Sequence, residues 1–158
     1  MEALAWIEQT LFSTWVREEP FVFPFVLAIH SLGMGLSAGI GIAMSLRLLG
    51  VAPGISLTAL LPLKALVWIG LIANTLSGFV LLIAYPAKAL TNPVFYIKLI
   101  LLGVALWIMV QQMGMIAAAS ARNAKSLAIA AIVCWIGVIF AGRFLAYTHT
   151  VLLATWAV

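Results

Sequence analysis

The chain has 158 residues, 66% of them hydrophobic and 8% charged, with eight Lys or Arg against four Asp or Glu, and its mean hydropathy is +1.24. A soluble domain does not carry this composition, so the sequence reads as a membrane protein. The net charge of +4 would point to nucleic acid in a soluble chain; here it follows the rule that positive loops stay in the cytoplasm, and no nucleic-acid partner is indicated.

Residues 1–19 place Leu4, Ile7, Leu11 and Trp15 at helical spacing against Glu8, Gln9 and Thr14. That is an amphipathic pattern too short and too polar to span, and it predicts an interfacial helix with Trp6 and Trp15 at headgroup level. The segment is acidic where a signal peptide is basic, so the first span is expected to stay uncleaved. Four apolar segments of spanning length follow, at about 21–49, 62–85, 94–119 and 126–152, each meeting the roughly 20 residues that a bilayer core needs. Between them, "RLLGVAPGISLTALLP", with its Gly and Pro, reads as a cytoplasmic loop or short re-entrant turn, and "YPAKALTNP", bounded by Pro86 and Pro93, as an outward loop. The predicted fold is all-α: a four-helix antiparallel bundle, integral to the membrane, with an N-terminal amphipathic interfacial helix and a single domain over 1–158.

Charges sort by loop. Arg47, Lys64, Arg122 and Lys125 fall on one side with no acid, which makes that side cytoplasmic; Glu2, Glu8, Arg17, Glu18, Glu19 and Lys88 fall on the other. Both termini are therefore expected on the outer, periplasmic side. The lone Cys134 lies inside the fourth span, which excludes an intrachain disulfide and suits a small buried apolar residue.

The stretch "PFVLAIHSLGMGLSAGIGIAM", residues 24–44, puts His30 in an apolar run crowded with small residues. At ~100° per residue His30 shares a helix face with Met34, Ser37, Gly41 and Met44. Gly33, Ser37, Gly41 and Ser45 recur every four residues beside it, the pattern by which membrane helices approach one another or a flat ligand closely. His30 is thus expected to face the bundle interior or a partner. A lone intramembrane histidine can equally serve as a hydrogen-bonding group between helices, although polar groups at this depth are functional hypotheses by default.

Two more cations lie in the spans: Lys98 soon after Pro93, and Arg143 in "GRFLAYTH", followed by Tyr147 one turn on. Counted from the cytoplasmic ends at ~1.5 Å per residue, His30 lies ~25 Å above Arg47 and Arg143 ~27 Å above Lys125, a shared level in the outer half. Asn74, Tyr85 and Tyr96 come to neighbouring depths. With no Asp or Glu in any span, the cations must snorkel, meet the N-terminal acids or hold an anion.

At "IHSLGMGLSAG", "SLRLLG", "NPVFYIKLILL" and "AGRFLAY" the chain resembles a family of small four-span bacterial membrane proteins that is known as a domain of unknown function. It is more distantly similar to the membrane domain of CopD-type copper-resistance proteins, through the histidine of the first span and the Phe-Tyr-x-Lys-Leu pattern of the third. The resemblance implies four spans in a bacterial inner membrane and marks His30, Lys98 and Arg143 as motif positions. The chain departs from the family pattern at Ser45, where an acid is expected before "LRLLG".

The leading functional expectation is a b-type haem protein for electron transfer, with the cofactor in the outer half of the bundle. His30 is the axial ligand, and Arg143 and Lys98 neutralise the propionates beside Tyr147. His149 is the other candidate metal ligand, but it lies ~10 Å higher than His30 and points ~120° away from Arg143. Bis-histidine ligation would therefore need a tilted or shifted fourth helix; otherwise His149 is an interfacial residue and the iron is five-coordinate. Two alternatives stand beside this: a non-enzymatic accessory subunit of a homo-oligomer or larger membrane complex, and copper binding or transport through His30 and Met34. Hydrolytic or covalent catalysis has no paired nucleophile and base to support it.

Overall fold

The computed structural model describes residues 2–118, 124–148 and Leu153. The elements are helices α1 (Glu2–Glu8), α2 (Leu11–Glu18), α3 (Val22–Leu48), a 3₁₀ segment (Leu57–Leu63) running into α4 (Lys64–Ala84), α5 (Pro86–Leu90), α6 (Pro93–Ala117) and α7 (Ala124–Tyr147). No strand occurs among the described residues. The four long helices, the second counted from Leu57, are each long and apolar enough to cross a membrane, and they form the expected antiparallel bundle.

Boundaries follow local chemistry. α3 ends in a Schellman motif: Gly50 takes φ +99°, its N–H reaches the Arg47 carbonyl at 3.1 Å and the Val51 N–H reaches the Leu46 carbonyl at 3.0 Å. The Arg47 guanidinium then holds the loop through the carbonyls of Ile55 and Pro53. Asn92 Oδ1 caps α6 by accepting the Val94 N–H at 2.9 Å, with Pro93 at the first helical position. Three segments differ from the sequence expectation: the stretch after α3 read as a loop winds into the 3₁₀ segment from Leu57, and two others follow. Residues 2–18 form two short helices, because the Thr10 hydroxyl caps a new start at Leu11 by accepting the Ser13 N–H; and the loop after Tyr85 winds into α5, opened by Pro86. The fourth helix is described to Tyr147, so the expected extension to 152 lies outside the described residues.

α3 packs along α4, α6 along α7, and α3 also against α7. Small residues set these contacts. A Cβ on Gly33 would sit 2.6 Å from the Gly70 carbonyl oxygen and 2.8 Å from the Asn74 nitrogen, so α3 and α4 meet backbone to backbone. Gly41 makes room for the fully buried Trp135 indole of α7. All four small residues of the α3 repeat are buried, as their spacing predicts. The last of them, Ser45, exchanges hydrogen bonds through its Oγ with Gln112 of α6, at 3.1 Å from its Nε2.

The N-terminal helices close one end of the bundle. Ser13 Oγ donates to the Ile83 carbonyl at 2.9 Å and Arg17 to the Ala84 carbonyl at 2.9 Å, satisfying carbonyls that α4 leaves unpaired at its last turn. A second Arg17 nitrogen reaches the Glu8 carbonyl at 2.8 Å. Trp6 and Trp15 remain exposed, the orientation an interfacial segment needs.

Candidate functional site

One side of the bundle is left open, because α4 and α6 barely touch. The 3₁₀ segment bridges them at one end and α5 adjoins both at the other. Between those closures lies a cleft of about 490 Å³, in the roughly 300–1,000 Å³ range of small-molecule sites. Its walls are mostly apolar, with Phe79 of α4 and Leu99 of α6 half-exposed at the rim. The lateral mouth therefore faces the surroundings of the spans, which is lipid.

His30 of α3 lines this cleft. Its Nδ1 is 3.0 Å from the backbone carbonyl oxygen of Asn74, which can only accept, so Nδ1 carries the proton and Nε2 keeps its lone pair. Ser77 Oγ, 3.2 Å away, shares the Nδ1 proton while donating to the Ala73 carbonyl at 2.6 Å. The Asn74 side chain answers in the other direction, its Nδ2 donating to the His30 carbonyl at 2.7 Å. Gly78 completes the seat: a Cβ there would lie 3.2 Å from His30 Cε1, so a larger residue would push the ring. The close approach of α3 and α4 at Gly33 and Gly70 is what brings these groups within reach.

Nε2 points across the cleft to Lys98 of α6, whose Nζ lies 3.4 Å away. The only way to write this bond is with the lysine donating to the imidazole lone pair. Lys98 runs past Gly142 of α7, where a Cβ would touch Cε and Nζ at 3.8 Å. Tyr85 and Lys88 stand at the α5 end of the lining, and Lys88 Nζ donates to the Ala146 carbonyl at 3.0 Å. Desolvation holds the Lys88 ammonium below the usual lysine range. No Asp or Glu is among the residues that line the cleft, so its polar end is cationic.

The structure brings together His30, Lys98, Asn74 and Tyr85 of the residues that the sequence singles out. Arg143 is exposed on α7 and is not part of the lining, although Gly142, Leu145 and Ala146 on the same helix are. Tyr147 is also exposed, and Tyr96 turns outward to donate to the Leu90 carbonyl at 2.9 Å. His149 lies outside the described residues. Met34 is partly buried and packs against the hydrophobic core. Among the described residues no three His, Cys, Asp or Glu side chains gather as a metal cluster. Sequence reasoning missed Ser77, Gly78 and Lys88. The first two were marked by their spacing of three and four from Asn74, which puts them on its helix face; Lys88 carried no such signal, since its position depends on α5.

Comparison with known proteins adds no relative: no family model, curated protein or solved structure matches the chain.

Proposed function

We propose that the protein is a bacterial inner-membrane protein that binds haem b in this cleft and carries electrons, with both termini on the periplasmic side. The observation that supports it best is the fixed imidazole: a backbone carbonyl takes the Nδ1 proton and leaves Nε2 aimed into an apolar cleft. Ligating histidines are commonly oriented in this way, their second nitrogen donating to a carbonyl or carboxylate. The neighbours suit the same ligand. Gly78 seats the ring and Gly142 borders Lys98 without a side chain, the walls are apolar, and Lys98 and Lys88 offer two cations to two propionates with no acid to compete. Exposed Arg143 becomes a peripheral cation in this reading rather than the main anion partner. The bound haem would supply one-electron chemistry, while the chain sets its ligand, its counter-ions and the exclusion of water.

The test is an optical spectrum of the purified protein, oxidised and then reduced with dithionite. A reduced-minus-oxidised α band that is lost in His30→Ala is the expected result. A protein that stays colourless after expression with ample haem, and after haem is added to it, refutes the reading. One observation favours a second: Ser31, Gly35 and Gly39 form an exposed small-residue face on α3, and a Cβ on either glycine would meet nothing within 4 Å. That face fits a cofactor-free accessory subunit packed against another membrane helix. Stoichiometric copurification of a colourless protein with a larger complex would support it.

A further inference from the structure

We infer that Lys98 is a displaceable cap on His30, and that the cleft selects ligands pairing an electrophilic centre for the imidazole with an anionic arm for the lysine. The inference rests on the reading of the cleft as a ligand site. It goes further by giving the ligand-free state a structure and the ligand a required shape.

The cap follows from the bond between them. Nε2 has one lone pair, and the Lys98 Nζ stands over it at 3.4 Å, a long hydrogen bond. A metal or other electrophile can reach that lone pair only after the lysine moves. Among the described residues the imidazole is the one acceptor that the Lys98 amine reaches, and the surrounding walls are apolar. A neutral electrophile would therefore leave an ammonium without a partner in a low-dielectric cleft, which is costly. A ligand with its own carboxylate or phosphate removes that cost by giving the displaced ammonium a new, charge-assisted bond. Gly142 presents no side chain to the lysine, whose Cε and Nζ would lie 3.8 Å from a Cβ there. Lysine suits this role better than arginine because its single compact charge sits on a flexible four-carbon chain.

Lys98 therefore acts as a specificity residue and shields the histidine when no ligand is present. The cap also prevents adventitious ligation of a bare imidazole by small metal ions.

Two measurements on the full chain in detergent test this. In the first, haem b and its dimethyl ester, which lacks both carboxylates, are titrated separately. Wild type is expected to favour the free acid, and Lys98→Met should cut that preference by about ten- to a hundredfold, the size of a charged hydrogen bond, leaving only the part that Lys88 supplies, while Lys98→Arg should retain most of it. A preference undiminished in Lys98→Met overturns the proposal. In the second, the ligand-free protein is treated with diethyl pyrocarbonate, which reacts at the imidazole lone pair, and modification is mapped to His30 by mass spectrometry. The rate at His30 should rise several-fold in Lys98→Met and fall back in Lys98→Arg; an unchanged rate overturns the cap. If neither porphyrin binds wild type, the haem reading fails, and the modification rates still decide whether Lys98 masks His30.

Discussion

Replacing Gly33 with Ala should disturb the site without touching it. The new Cβ would sit 2.6 Å from the Gly70 carbonyl oxygen and 2.8 Å from the Asn74 nitrogen, both backbone atoms that cannot rotate away. Restoring ordinary contact at 3.4 Å moves α3 and α4 apart by about 0.8 Å at this level. His30 is one turn away on α3, and its 3.0 Å bond to the Asn74 carbonyl would stretch toward about 3.8 Å if the shift were carried along it. That is beyond the ~3.2 Å limit of a good N–H···O bond. Overpacking of this kind costs about 1–3 kcal/mol. Two readouts follow: unfolding by titration with a denaturing detergent, and the ¹⁵N spectrum of the His30 imidazole, in which a protonated Nδ1 and a bare Nε2 are distinguishable. Gly33→Ala should lower the unfolding midpoint and mix the tautomers. Gly35→Ala is the control, since its Cβ would meet nothing within 4 Å. Identical midpoints and identical ¹⁵N shifts in the two variants would refute the close-packing account of how His30 is held.

Gly41→Ala should destabilise the α3–α7 contact by about 1–3 kcal/mol, because its Cβ would overlap the buried Trp135 indole; adding Trp135→Leu should recover part of the loss in the same detergent titration. Gln112→Leu removes the partner of Ser45 Oγ, but that hydroxyl keeps its 2.8 Å bond to the Gly41 carbonyl, so the cost should be near ~0.6 kcal/mol and below ~1.7. Arg17→Met deletes the bonds to the Ala84 and Glu8 carbonyls, and should speed amide exchange across residues 2–18 while leaving the centres of the spans protected. A reporter fused to the C-terminus should be active on the periplasmic side; a cytoplasmic signal would overturn the proposed orientation.

The four spans, their antiparallel order and the inward turn of His30 were legible in the sequence, because hydropathy and helical periodicity are properties of the chain taken a few turns at a time. The spacing of Gly33, Ser37, Gly41 and Ser45 identified the packing face of α3 before any partner was known. Tertiary structure alone decided what those faces meet. Depth along the axis placed Arg143 level with His30, yet the rotation of α7 leaves it exposed while Gly142 meets the cleft; about 100° separates neighbouring residues, so axial position does not determine direction. Lys98, soon after its helix start, looked the weaker candidate in sequence, and it reaches His30 because α6 packs on α7 and stands away from α4. The tautomer of His30 likewise depends on a carbonyl 44 residues away, brought within range by two glycines, and a contact of that kind has no signature in either helix taken alone.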